Sequence, residues 1–463
     1  MSSPPRQRSE TFDLKMANGS RVFESDDAIP IHQIDLSMAP RSRYVALARI
    51  YASQIERLTI LFDSLLEDMG IPPYQHIWIK RVARLLLRRV HSREETEELR
   101  GISKATGVSM YLLVSFNVVL DLLMGCTSGA VRSSEPFQPL SQAKMLHFRT
   151  LDWGMDPLRS VIVQLEFIRS KSATPQVVLA SSITYVGFVG VLTGVRKDLS
   201  MSLNFRGVHN ATTRSGHFQF YLHHLLVLLG RRQAISSLLR SHLLGHLGGH
   251  DLHPSTLATL AHEVPPKPAT AAYLIFSDGK MTLIMEKDYR TALLRHSKSF
   301  IVVTNHDLDI PESTGSHDDS KRPELASMED ILSESADRRD CIVDKWKSKV
   351  RKAERRMRRH GDISGTNSQL AQARIEPCAS SQASTTAKSG GVEPEARSDS
   401  MDMKAKQNMA QIEDSVAIAS DEVISWVSAW PTTNECTHFA AVLDPTTGEV
   451  IWTKRYLTPI DEV

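Results

Sequence analysis

Residues 111–130 read Tyr-Leu-Leu-Val-Ser-Phe-Asn-Val-Val-Leu-Asp-Leu-Leu-Met-Gly-Cys-Thr-Ser-Gly-Ala. Up to Met124 the stretch is apolar and helical in character. After Gly125-Cys126 it turns to small and β-branched residues that read as strand. A lone cysteine at such a junction can attack the carbonyl that precedes it. Glycine at 125 leaves that backbone free to take up the geometry the attack requires. A cut between Gly125 and Cys126 would leave a new N-terminus with thiol and α-amine on one residue. Their reference pKa values, about 8.5 and about 7.7–8.0, are close, so the amine can take the thiol proton at little cost.

Outward from this junction the chain changes character twice. Toward the N-terminus it is mainly helical. Val45, Ala48, Ala52, Ile55, Leu58, Phe62, Leu65 and Met69 fall on one helix face. Trp78–Val90, Glu94–Gly107 and Met110–Met124 read as further helices, and Ile29–Leu36 as a short strand. Beyond Cys126, Met145–Leu151, Val161–Ile168, Val177–Ser181 and Leu199–Phe205 are short alternating or β-branched runs. His217–Leu247 is helical again. Ala271–Phe276 and Met281–Met285 flank Ser-Asp278-Gly279-Lys, a hairpin signal. Phe300–Thr304 is one more strand, ending at Asn305. Many strands with helical layers before and among them predict an α+β sandwich.

From about Pro311 to Val416 the sequence becomes rich in Ser, Asp, Lys, Arg and Gln and reads as mostly disordered. Within it, Lys345–Arg359 holds nine Lys or Arg and one Glu. Order returns near Asp421, and Phe439–Leu443 with Glu449–Tyr456 form a last hairpin that rejoins the sheet. The expected organisation is a flexible N-terminus (1–27), a helical region (28–125), a core (126–310 and 417–463) and an insertion (311–416).

Composition narrows the function classes. The 463 residues carry 55 Lys or Arg and 53 Asp or Glu, a formal charge of +2, which argues against whole-chain nucleic-acid binding. Four widely spaced cysteines, Cys126, Cys341, Cys378 and Cys436, form no C-x-x-C pair. Residues 1–24 carry no apolar signal core, and Tyr111–Met124 is too short to span a bilayer. The expectation is a soluble chain, cytoplasmic as written. His242, His246 and His250 follow an i, i+4 spacing with His253 nearby. Gly248-Gly249 should end that helix and no acid accompanies the set, so no metal and no cofactor are expected.

Amide hydrolysis by a thiol needs a thiolate, a base, an oxyanion stabiliser and a positioning frame. Phe148-Arg-Thr-Leu-Asp-Trp153 closes a strand able to pair with the one starting at Cys126. Asp152 could orient the new ammonium there. Arg149 could hold a carbonyl or lower the thiol pKa. Asn305, at a strand end, offers an amide N–H for the oxyanion.

The chain resembles the acid ceramidase family, which includes the N-acylethanolamine-hydrolysing acid amidases. The resemblance rests on Ile29–Leu36, Glu98-Leu-Arg-Gly-Ile-Ser103, Val114-Ser-Phe-Asn117, Cys126-Thr-Ser128, Arg149-Thr-Leu-Asp152 and Tyr185-Val-Gly187. It continues through Gly190-Val-Leu-Thr-Gly194, Ser202-Leu-Asn204 and Thr304-Asn-His-Asp307, in family order, with a looser match at Asp337-Arg-Arg339. It implies an αββα N-terminal-nucleophile sandwich, made as a precursor and cut before Cys126 into two subunits that stay together. It further implies Cys126 as nucleophile and base, Arg149 and Asp152 as orienting groups, Asn305 at the oxyanion hole and Arg338 as support. The implied substrates are lipid amides, ceramide first, with N-acylethanolamines as the alternative.

Three departures stand out. Phe205 occupies the position where the family usually carries a glutamate. No cysteine precedes Cys126, so Cys341 lacks the N-terminal partner the family would supply. The family is usually lysosomal or secretory, whereas no signal segment is visible here. The Lys345–Arg359 run reads by default as a solvated charged helix and is a candidate contact for an anionic membrane. The competing reading from another class is a pseudoenzyme, processed or unprocessed, that binds lipid or a partner through the basic insertion.

Overall fold

The computed structural model describes residues 27–57, 66, 71–119, 125–245, 254–307, 326–359 and 412–460. Two sheets face each other across a shared interior. One has eight strands, in the order β1 (Ile31–Asp35), β4 (Ile162–Ile168), β5 (Ala180–Tyr185), β6 (Thr193–Arg196), β7 (Leu199–Phe205), β8 (Ala272–Ser277), β9 (Thr282–Lys287) and β10 (Ala292–Ser297). The other has five, in the order β11 (Phe300–Val303), β2 (Gly125–Ser133), β3 (Lys144–Asp152), β12 (Thr437–Asp444) and β13 (Glu449–Arg455). Within the sheets every pairing is antiparallel except β1 with β4. A strand from the N-terminal region thus completes the edge of the larger sheet.

Side chains along each strand alternate between two faces. On β7, Ser200, Ser202 and Asn204 point to the facing sheet, where they bond His147 and Ser128. The apolar alternates Leu199, Met201 and Leu203 belong to the main hydrophobic core. The space between the sheets is therefore partly polar, while the apolar cores lie mainly under the helices. His147 is held by both ring nitrogens, to Ser200 Oγ at 2.8 Å and Ser202 Oγ at 2.9 Å. Burial pushes its pKa down to about 3, so it is neutral.

The N-terminal helices are α1 (Pro40–Arg43), α2 (Val45–Ile50), α3 (Ala52–Arg57), α4 (Pro73–Leu86), α5 (Arg93–Thr106) and α6 (Met110–Val119). The single helix expected from Tyr44 is broken at Tyr51, and part of that expectation lies outside the described residues. In α5, Ser92 caps the Glu95 amide, Glu94 and Glu95 sit in the positive first turn, and Gly107 closes the helix at φ 77°. Its Glu98 is fully buried against Arg240 of α8 (Ile235–Leu244), with bonds of 2.6 and 2.7 Å. In α6, Asn117 donates to Gly187 O and accepts from Val189 N, each at 2.8 Å. The N-terminal region is so tied to the part that follows Cys126.

The helical run expected over His217–Leu247 is two helices, α7 (Arg214–Leu228) and α8, parted at Gly230. Gly230 has φ 63°, and a Cβ there would lie 2.4 Å from Arg89 O. The expected Asp278-Gly279 hairpin joins β8 to β9, with Gly279 at φ 86°. Asp278 Oδ1 accepts from Lys280 N and Met281 N, both at 2.8 Å. Strand β5 lies three residues beyond the run at Val177, and β10, with its mixed polar pattern, was not expected.

The largest correction concerns the insertion. Residues Ala326–Arg359 form a 34-residue helix, here numbered α10 after α9 (Leu257–Glu263), rather than disorder. Ile342, Trp346 and Val350 recur at helical spacing and pack with Val131, Leu146, Phe148 and Val442 of the five-stranded sheet. Trp346 stacks on Phe300 at 5.1 Å. The final helix, α11 (Ser420–Val427), lies in the same cluster through Val423, Trp426 and Val427. With α8 packed on β6 and β7, the order of layers is helix, sheet, sheet, helix. Ile412 and Val416, at the end of the expected insertion, join the cluster of Trp346 and Trp426; residues 311–325 and 360–411, and His246, His250 and His253, lie outside the described residues.

Candidate active site

Strand pairing places the site. Gly125 opposes Asp152 and Cys126 opposes Leu151 across β2 and β3. Because Cys126, Ser128 and Arg149 alternate onto the inner face, the thiol and the guanidinium meet between the sheets. Arg149 Nη2 donates to Cys126 Sγ at 3.2 Å. Its Nη1 donates to Leu203 O at 2.7 Å, Asn204 Oδ1 at 3.0 Å and Ser128 Oγ at 3.2 Å. These bonds fix the fork in one orientation, aimed at sulfur.

The backbone of Cys126 is held separately. Asn305 Oδ1 accepts from Cys126 N at 2.8 Å and from Arg338 Nη2 at 3.1 Å, while Asn305 Nδ2 donates to Phe205 O at 2.9 Å. The Asn305 amide N donates to Ser335 Oγ at 2.8 Å. Asp152 accepts from Thr437 Oγ1 at 2.7 Å and lies 3.7 Å from Arg338 Nε. A Cβ on Gly125 would stand 3.3 Å from Asp152 Cβ and 3.8 Å from Arg338 Nη2, so the glycine leaves both groups close to the bond before Cys126.

Burial dominates the electrostatics. It pushes the Cys126 thiol up to about 11, against the opposing pull of Arg149. Burial also raises the Asp152 carboxyl, with Arg338 the largest influence in the other direction. While Cys126 nitrogen remains an amide, the site holds a protonated thiol. Cys126, Cys341 and Cys436 are free thiols. Among the described residues no group of His, Cys, Asp or Glu has metal-binding geometry.

All five expected residues, Cys126, Arg149, Asp152, Asn305 and Arg338, therefore meet at one end of the sandwich. Phe205 contributes its carbonyl, which any residue at that position would supply. Several members escaped the sequence reading. Ser335 comes from the unexpected helix α10, and Thr437 from the C-terminal hairpin. Tyr185, quoted in the Tyr185-Val-Gly187 motif without a role, is hydrogen-bonded to the unforeseen His438 at 2.7 Å, and the two join the sheets near Trp153. Asn204 stood in the quoted Ser-Leu-Asn motif, and its Nδ2 bonds Val303 O and Thr304 O, each at 3.2 Å.

Comparison with known proteins gives partial matches. Residues 27–91 match the family described as the beta subunit of N-acylethanolamine-hydrolyzing acid amidase. The acid ceramidase of Mus musculus is 27% identical over 195 residues, covering 38% of this chain and 46% of that protein. The N-acylethanolamine-hydrolyzing acid amidase of Caenorhabditis elegans is 25% identical over 197 residues, covering 40% of this chain and 50% of that protein. A solved structure of a C. elegans ortholog of that amidase aligns over 69% of this chain and 93% of its own, at 14% identity and a TM-score of 0.36. The chain spans about half the length of the curated relatives it matches. Over the parts that align, the chain is therefore similar to acid ceramidases and to N-acylethanolamine-hydrolyzing acid amidases.

Proposed function

We propose that this protein hydrolyses the amide bond of N-acylated lipids, ceramide first, after cutting its own Gly125–Cys126 bond. The observation that carries the reading is the double hold on Cys126. Arg149 engages its sulfur while Asn305 engages its nitrogen.

In the precursor, Sγ attacks the Gly125 carbonyl and forms a C–S bond as the C–N bond breaks. The thiol proton passes to the departing Cys126 nitrogen. Water then cleaves the thioester, giving a Gly125 carboxylate and regenerating the thiol. Asp152 and Arg338 stand beside that bond. Asp152, raised by burial yet paired with Arg338, is placed to stabilise the new ammonium.

In the mature form the α-amine takes the thiol proton and the thiolate attacks the substrate carbonyl. The charge that develops on oxygen requires donors. Asn305 Nδ2, aimed by its bond to Phe205 O, is a neutral amide donor beside Cys126 and is the candidate for that role. The ammonium then protonates the leaving sphingosine or ethanolamine nitrogen, and water releases the fatty acid from the thioester. The match to an amidase named for N-acylethanolamines favours those amides as the second substrate class.

The two pieces would stay associated through β1, Glu98–Arg240 and Asn117. An anionic membrane contact through Lys345–Arg359 belongs to the same proposal. The apolar face of α10 packs on the core, while Lys347, Arg351, Lys352 and Arg355 are exposed. The test is fatty-acid release from dispersed ceramide and N-acylethanolamine by purified protein beside Cys126→Ala. Release by the wild type alone supports the reading. Self-cleavage without release from either class would overturn the substrate assignment.

A further inference from the structure

Two strand ends supply the asparagines of the site, β7 with Asn204 and β11 with Asn305. Each asparagine bonds the backbone of the other strand end, through Val303 O and Thr304 O on one side and Phe205 O on the other. Immediately beyond them lies a third link. Arg206 Nε donates to Asp307 Oδ1 at 2.7 Å and Nη2 to Oδ2 at 2.6 Å, a bidentate pair. Arg206 is 3% exposed. Tyr273 Oη donates to Asp307 Oδ1 at 2.7 Å, and Asn210 Oδ1 accepts from Arg206 Nη2 at 3.0 Å. The Tyr273 ring lies under the guanidinium, 5.9 Å from centroid to carbon.

Resting on the self-cleavage proposed above, we infer that Arg206 and Asp307 are positioning residues. Their bidentate pair locks the two strand ends together and so sets where Asn305 holds the Cys126 nitrogen. Arg206 directly follows Phe205, whose carbonyl orients the Asn305 carboxamide, and Asp307 lies two residues after Asn305. Loss of the pair leaves both strands hydrogen-bonded within their own sheets but frees their ends to part. Displacement of order 1 Å at a reacting group costs roughly 100-fold in rate. The clamp is also suited to mild acid. Hydrogen bonds from Arg206 and Tyr273 hold the Asp307 carboxyl below its usual range, outweighing burial. It therefore stays ionised until the pH falls below the ordinary carboxylate pKa.

The test follows the rate at which full-length precursor converts to fragments, per folded molecule, for wild type, Arg206→Met, Asp307→Asn, the double variant of these two, Arg206→Lys and Tyr273→Phe. Tyr273→Phe removes only one hydroxyl and is the variant that leaves the fold least disturbed. We expect Arg206→Met and Asp307→Asn to slow conversion by about tenfold or more, the double variant to be no slower than either, and Arg206→Lys to recover part of the rate. Tyr273→Phe should be slowed by a smaller factor. Slowly matured Arg206→Met should show reduced kcat with little change in KM. Wild-type rates in Arg206→Lys and Tyr273→Phe together with independent effects of Arg206→Met and Asp307→Asn would overturn the clamp. A wild-type chain that never converts would instead overturn the self-cleavage on which it rests.

Discussion

Glu98 and Arg240 join the region before Cys126 to the region after it, and their removal should expose how that join is energised. Glu98 is fully buried, and Arg240 meets both of its oxygens while also donating to Val189 O at 2.6 Å. Arg43 Nη1 lies 3.0 Å from the same carboxylate. Removing one partner from a buried ion pair costs about 3–5 kcal/mol, because the other charge stays buried. Arg240→Met leaves Glu98 with Arg43 and should fall near the low end, about 3 kcal/mol. Among the described residues, Glu98→Leu leaves Arg240 with the Val189 carbonyl and, less directly, Tyr44 and Glu95, so it should approach about 5 kcal/mol. The double variant replaces the pair with apolar groups and should be less destabilised than the sum of the singles by at least about 2 kcal/mol. Urea unfolding followed by circular dichroism, in a Cys126→Ala background that keeps the chain in one piece, measures all four corners. Additive costs, or singles costing under about 1 kcal/mol, would refute the reasoning, since an exposed pair behaves that way.

Three further outcomes follow from other parts of the molecule. Arg149→Met removes the charge that opposes burial at Cys126, so the pH midpoint of thiol alkylation should rise and self-cleavage should slow; a midpoint unchanged from wild type would contradict this. His147 and His438 both have folded pKa values lowered to about 3, against about 6.5 unfolded, so the unfolded chain binds more protons between those values. Stability is complete above pH 6.5 and falls as the pH drops toward 3, by about 2 kcal/mol per group between pH 7 and 5; urea midpoints in wild type and His147→Gln check this, the variant losing one group's share of the slope. Trp346→Ala should cost about 3–5 kcal/mol and slow self-cleavage, because it unseats the helix that carries Ser335 and Arg338; melting curves and conversion rates read both.

The site was more legible in the sequence than the fold around it. Cys126, Arg149 and Asp152 lie on two paired strands, so short-range alternation is enough to bring them together. Asn305 is distant in sequence, and its place came from the strand end plus the motif resemblance. Ser335 and Thr437 carry no local signal, because a hydroxyl acts here only through the neighbour that tertiary packing gives it. Helix α10 was hidden by composition. Its many charges read as disorder or, over Lys345–Arg359, as a solvated helix, yet Ile342, Trp346 and Val350 need only one narrow stripe to find a core. The polar interior also inverted a simple reading, since Ser200, Ser202 and His147 are buried among themselves rather than facing water.

Intact-mass analysis of the purified wild-type chain and Cys126→Ala, with N-terminal sequencing of any fragments, tests the central claim most directly. The account predicts a single cut after Gly125 in the wild type, a second fragment beginning at Cys126, and an uncut Cys126→Ala chain. A wild-type chain that stays whole at neutral and mildly acidic pH, or a cut that persists in Cys126→Ala, would contradict it.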